Sequence, residues 1–239
     1  MYNLYSQSTA FHLQVFHRDH ESILKMCLFC FSSAPLAQNE RVGKYGSTMG
    51  AFADNPTTFT VSMCGAPCKE PLCCLSTMVC FCPVQVWMRH RALNHVEPGS
   101  NWRNYKCFQG IFSTCCLQPG QMGEDNCPCI CMTLEACLCP GLAVSATSTV
   151  IRQEYQLGLD ADDVRLIRCN NCLQIFSCLF SCCAMLTECE GDNQCASIVD
   201  CVADVVFTVV GACSTAQTYH EIKVRENMTS PKREAMERF

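Results

Sequence analysis

The sequence predicts a mainly α protein: a cysteine-rich helical domain with irregular Cys/Pro/Gly loops and a long C-terminal helix. Three observations carry this. Apolar residues recur at three- and four-residue steps from Ile198 through Val202, Val205, Val206, Val209, Val210 and Cys213 to Ala216, as one buried helical face requires. Cysteine-rich runs end in Pro83 and Pro140, which suit the first turn of a helix, where the missing N–H costs nothing. Strand signals are few, Thr57 to Met63 being one short candidate.

In chain order, residues 1 to 58 read as an N-terminal extension: polar, then briefly apolar around Cys27 to Phe31, then loop-like with Gly43, Gly46 and Gly50. From Met63 to Cys139 the chain is punctuated by Cys, Pro and Gly. Cys74, Cys80, Cys82 and Pro83 return 57 residues later as Cys131, Cys137, Cys139 and Pro140. Duplication and coincidence in a cysteine-rich chain both account for this echo. Gly141 to Leu157 is a helix of small residues that permits close packing, with Gly158 as its stop. Asp160 and Asp163 then resemble a capped, acidic helix start, with the helix running from Val164 to Met185. A Glu190 to Asn193 break precedes the last helix, whose Asp200 and Asp204 fall opposite the valine face. The charged tail, 227 to 239, is expected to be solvated or to dock.

Of 239 residues, 25 are cysteine, and the formal net charge is −5. The acidic balance argues against a nucleic-acid partner. Met1 to Ser22 is polar, unlike a secretory signal, and cysteines bunched as Cys73-Cys74, Cys115-Cys116 and Cys182-Cys183 are awkward to cross-link to each other. The expected setting is therefore intracellular and reducing. Cys172 to Leu186 is shorter than a bilayer span, and Ile198 to Cys213 contains two aspartates, so surface or re-entrant membrane contact is expected over a plain crossing. No phosphate loop follows the early glycines, and no local signature pairs one cysteine with a histidine, so no catalytic or cofactor-binding residues are assigned. Trp87 to Arg91 is expected to be a helix end or membrane-interface anchor.

Three readings of the thiols stand together. Cys64, Cys68, Cys80, Cys82, Cys137, Cys139, Cys169 and Cys172 are the candidate ligands of a structural zinc, although no paired CxxC motif of finger-like spacing is present. Adjacent cysteines beside apolar helices are candidate palmitoyl acceptors. For most individual cysteines, burial as a small hydrophobe suffices.

Three stretches carry a resemblance. They are Cys64, Cys68, Cys73, Cys74, Cys80, Cys82 and Pro83; then Cys137-Leu-Cys139 with Arg152-Gln-Glu-Tyr155-Gln-Leu157; then Cys213-Ser-Thr-Ala-Gln217-Thr-Tyr219-His-Glu221-Ile-Lys223. In this order they resemble the cysteine-rich placenta-specific-eight family, which includes onzin, cornifelin and the plant cell-number-regulator and cadmium-resistance proteins. The resemblance covers 59 to 226, with insertions at about 96–130 and 173–195. It implies a non-catalytic, membrane-associated protein that assembles with itself or serves as an accessory subunit of a larger membrane complex. Two alternatives are ion transport or heavy-metal resistance, and a soluble zinc-stabilised structural subunit. The family's Cys-Pro-Cys is altered here to Cys80-Phe-Cys82-Pro83, and Ala216 replaces a cysteine of the closing element, which tells against transport.

Overall fold

A computed structural model describes residues 52–111, 118–121, 123–187 and 190–236. Among them are seven α-helices and no strand: α1 (Ala66–Lys69), α2 (Pro71–Val79), α3 (Phe81–Val96), α4 (Pro128–Leu138), α5 (Pro140–Tyr155), α6 (Ala161–Thr187) and α7 (Glu190–Met236). The expected strand at Thr57 to Met63 is instead irregular chain, bent at Thr60 and Val61, with one isolated bridge, Thr57 to Leu157. The backbone groups of Thr60, Val61 and Met63 bond to side chains of Glu221, Gln217 and Asp163, so no ladder is needed there. The Cys27–Cys30 pair and most of the N-terminal extension lie outside the described residues.

The sequence echo has a structural counterpart. Pro71 and Pro128 each open a helix; each helix ends at a cysteine, Cys80 (φ −128°, ψ 61°) and Cys139 (φ −135°, ψ 61°); and each cysteine leads into a helix of 16 residues. The same helix–break–helix unit thus occurs twice. Its first helix is two residues longer in the second copy, 11 against 9, so the break falls at Cys139 rather than at Cys137, the sequence counterpart of Cys80.

The core sits where α3, α5 and α7 meet. Met88 and Ala92 of α3, Ile151 of α5, Ile222 of α7, and Phe59 and Leu157 from the flanking segments are packed together and buried. Small residues set the helix spacing. A Cβ on Gly141 would come within 3.1 Å of the Phe207 ring, and one on Gly211 within 3.1 Å of Phe81. Gly158 is needed for close approach rather than as the helix stop. Gln156 takes the left-handed conformation that ends α5, while a Cβ on Gly158 would lie 2.5 Å from the Asn55 carbonyl.

Two expectations are corrected along α6 and α7. The expected face of α7 is buried only at its C-terminal end, at Cys213 and Ala216; Ile198, Val202, Val205 and Val209 are exposed, and Ala196, Ala203 and Ala212 are buried instead. Alanines allow two long helices to approach closely, and the larger side chains are left outside. The expected break at Glu190 to Asn193 is helical: α6 ends at Thr187 and α7 begins at Glu190. Trp87 to Arg91 is mid-helix, not a helix end. Arg91 lies 4.8 Å from the Tyr219 ring centroid and pairs with Glu226, tying α3 to α7.

A fully desolvated ion pair holds α3, α4 and α5 together. Arg89 donates to Glu135 Oε1 at 2.7 Å, to the Ala143 carbonyl at 2.9 Å and to Thr147 at 2.9 Å. Glu135 Oε2 accepts from Tyr105 Oη and from the Phe108 N–H at 2.8 Å. That contact fixes the loop where Phe108 and Gln109 adopt positive φ. Removing one partner of such a pair leaves an uncompensated charge. Glu135→Gln is expected to cost about 3–5 kcal/mol in denaturant unfolding, and Arg89→Met combined with Glu135→Leu to recover part of that loss. Equal losses in the single and double variants would show that the pair is not the source.

Candidate functional site: an inside-out helical hairpin on a buried clasp

Asp163 is completely buried one turn into α6. Asp160 caps the helix, its Oδ1 accepting from Ala161 N–H at 2.8 Å, as the sequence suggests. Asp163, however, is not a solvated first-turn acid. Its Oδ2 accepts from Arg152 at 2.8 Å, and its Oδ1 accepts from Gln217 Nε2 at 2.9 Å and from Met63 N–H at 3.3 Å. Arg152 also donates to the Gly158 carbonyl and lies 4.4 Å from the Phe59 ring centroid. One carboxylate therefore joins the end of α5, the start of α6, α7 and the 59–63 segment.

The same side of α7 continues this clasp. Buried Glu221 accepts from the Thr60 N–H at 2.8 Å and from the Thr60 hydroxyl, and pairs with Arg225. Glu70, at the start of α2, accepts from His220 and from Lys223, each at 3.0 Å. Burial raises the Glu70 pKa, but hydrogen bonds from His220 and Lys223 more than offset this and leave it below its ordinary value. Arg152, Gln217, Glu221 and Lys223, which carry much of the sequence resemblance, are thus the residues of one architectural network.

Above the clasp, α6 and α7 run antiparallel as a hairpin. Asp163 lies opposite Gln217, Gln174 Nε2 donates to the Ala203 carbonyl at 2.8 Å, and Ser181 donates to Asp200 at 2.9 Å. The Ser177 hydroxyl also donates to Asp200. The inner seam is therefore polar. Exposed Ile175, Phe176 and Leu179 of α6 and Ile198, Val202, Val205 and Val209 of α7 make the outer surface apolar. On the outer side, Thr208 returns its hydroxyl to the carbonyl of Asp204. Both helices are long and apolar enough to cross a membrane. Cys169 to Thr187, free of charged residues, extends about 28 Å at 1.5 Å per residue, close to the roughly 30 Å of a bilayer's hydrocarbon core.

The candidate zinc ligands are spread over this framework. Cys64 and Cys68 are exposed around α1, Cys80 is exposed and Cys139 half-buried at the two helix breaks, Cys137 is exposed on α4, and Cys169 is half-buried on α6. Cys172 is disulfide-bonded and has no thiolate to offer. Cys82 and Cys137 are brought together and share a hydrogen bond that raises the Cys82 pKa. Among the described residues, His, Cys, Asp and Glu form no group of three or more able to hold a metal. Burial raises the thiols of Cys64, Cys74 and Cys107, and pushes Cys73 up to about 11. Protonated thiols are poor ligands and poor nucleophiles. Cys74 meets Cys213 across the α2–α7 interface, a pairing no sequence spacing signals.

Comparison with family models, curated proteins and solved structures returns no match.

The clasp has an acid-dependent signature. Because Glu70's folded pKa lies below its unfolded value, its contribution is full above the ordinary carboxylate range and is lost as pH falls through the folded value. Unfolding measured between pH 7 and pH 3 should show Glu70→Gln less stable than wild type at neutral pH, with the two converging in acid. A constant gap across that range would contradict the assignment.

Proposed function

We propose that this chain is a non-catalytic, membrane-associated protein whose α6–α7 hairpin inserts into a bilayer and whose cysteine-rich body serves in assembly. The observation that carries the proposal is the inverted amphipathicity of the hairpin. Polar groups inside a bilayer face other helices, while aliphatic side chains face lipid. Ser177, Ser181 and Asp200 meet one another across the seam, and the valines and phenylalanine point away from it. A hairpin bathed in water would place these two classes the other way round. In sequence, Glu188, Glu190 and Asp192 fall where α6 gives way to α7, the end at which an inserted hairpin would meet headgroups.

The assembly part of the proposal rests on apolar surface beyond the hairpin. Leu72, Leu75 and Val79 of α2, and Ile130, Leu134 and Leu138 of α4, are exposed. Met78 of α2 adjoins Val205 and Val209 of α7, so this surface runs on from the hairpin's outer face. An apolar area of this kind marks contact with protein or membrane. Kinship with the onzin and cornifelin family belongs to the same proposal, supported by the residues of the clasp.

The cysteines supply the test. Cys178, Cys182, Cys183 and Cys201 are on the hairpin, and Cys64, Cys68 and Cys127 are on the body; all are exposed. In protein reconstituted into phosphatidylcholine vesicles, a charged maleimide should label the body thiols and spare the hairpin thiols until detergent is added. Equal labelling of both sets before detergent, with the protein recovered in the soluble fraction, would refute bilayer insertion.

A further inference from the structure

A cleft of about 820 Å³ opens between α5, α6 and α7, just above the Arg152–Asp163 clasp. Leu142, Val144, Ile167, Ile175, Phe207 and Val210 make most of it apolar. The volume is ample for a single amphiphile. The small residues of α5 form one wall, and the hydroxyls of Ser145 and Thr149 are turned back onto carbonyls of their own helix, at 2.8 Å each. That wall therefore presents methylenes and methyl groups rather than donors.

Three of the remaining polar groups along the cleft offer acceptors, while Asn171, whose oxygen accepts from Asn170, keeps its amide donor. Asn170 is over nine-tenths buried, lines the cleft, and its Oδ1 has no hydrogen-bond partner. Such an orphan acceptor is costly unless something supplies it with a donor. Gln174 commits its Nε2 to the Ala203 carbonyl, which leaves its own oxygen available. Asp204 stands at the rim, with its carboxylate outside the Ser–Asp200 seam. The one cation on the floor, Arg152, is neutralised by Asp163 and occupied by the Gly158 carbonyl. The cleft thus offers an apolar cavity, a buried acceptor and a carboxylate with no ion pair among the described residues.

We infer that the α5–α6–α7 cleft binds a single-chain amphiphile with a protonated amine head, its tail along the apolar wall and its ammonium between Asn170 Oδ1 and the Asp204 carboxylate. A hydroxyl head would satisfy Asn170 alone; an anionic head would be repelled by Asp204. The inference extends the membrane proposal, because the cleft lies near the boundary at which the uncharged part of α6 begins. It does not require the hairpin to cross the bilayer.

Full-length protein in phosphatidylcholine vesicles, or in mild detergent, is photolysed with a sphingosine carrying a diazirine and an alkyne. A parallel sample receives a monoacylglycerol with the same tail and the same groups. The amine probe should label wild type about tenfold more than the neutral probe, with modified peptides from residues 141–152 and 204–214. Asp204→Asn, an exposed and structurally mild change, should bring the two probes level. Ser145→Trp, at an exposed position on the cleft wall, should abolish labelling by both with no change in thermal midpoint. Equal labelling of wild type by the two heads, or undiminished labelling of Ser145→Trp, would overturn the inference. Vesicle flotation of the same samples separates the two proposals: protein that floats without cleft labelling defeats only the cleft, and protein labelled in detergent that fails to float defeats only insertion.

Discussion

The Arg152–Asp163 contact is the constraint from which the rest of the architecture follows. A carboxylate at zero exposure needs every lone pair occupied. Here the partners come from four parts of the chain: α5, α7, the Met63 backbone and, through Arg152, the Gly158 turn. Such a group cannot be satisfied by a local rearrangement, because its donors are up to 100 residues away in sequence. It fixes where α6 leaves the body and the register at which α7 returns. With that register set, Gln174 meets Ala203 and Ser181 meets Asp200 further along the hairpin. The Arg89–Glu135 pair does the same for the second helix–break–helix unit, fixing α3 against α4 and α5. The two networks explain how a chain with many small and sulfur-bearing side chains holds a unique arrangement: geometry is supplied by directional polar contacts at a few buried points, with aliphatic packing between them.

Helices α6 and α7 gain a second property from this arrangement. Their close approach along alanines and serines places the polar groups between them and pushes the branched and aromatic residues outward. In water that surface would be a large exposed apolar area of the kind monomers avoid. In lipid it is the ordinary surface of a helix pair, and the Ser–Asp200 contacts become the interhelical hydrogen bonds expected there. The small-residue wall of α5 and the lower turns of the hairpin then enclose the cleft. Fold, apolar outer face and cavity are consequences of the same register.

The helical class was legible in the sequence because propensity and prolines agree over long segments. Pro71, Pro128 and Pro140 each mark a helix start, and the 57-residue cysteine echo marks a real repeated unit. The direction of the α7 faces was not legible. A period of three and four residues identifies a uniform apolar face, but it carries no information on whether protein or lipid covers that face. Asp200 and Asp204 illustrate the consequence: they lie opposite the valines as the period requires, yet Asp200 points into the α6 seam. The spacing of Asp163 from Asp160 fits a dipole-favouring acid at a helix start, but its role depends on Arg152 and Gln217, whose proximity is tertiary. The same holds for the thiols. Cys169 and Cys172 have ligand-like spacing, but the disulfide at Cys172 and the pairing of Cys82 with Cys137 are set by packing that spacing does not encode.

The depth profile of the hairpin is the most direct measure of its setting. Single spin labels at Leu179, Val202 and Val205, in the vesicle-reconstituted protein, should collide readily with dissolved oxygen and rarely with a water-soluble nickel chelate. A label at exposed Arg165, at the charged base of α6, should show the opposite preference. Nickel accessibility at the three hairpin sites equal to that at Arg165 would contradict the inside-out hairpin on which the account depends.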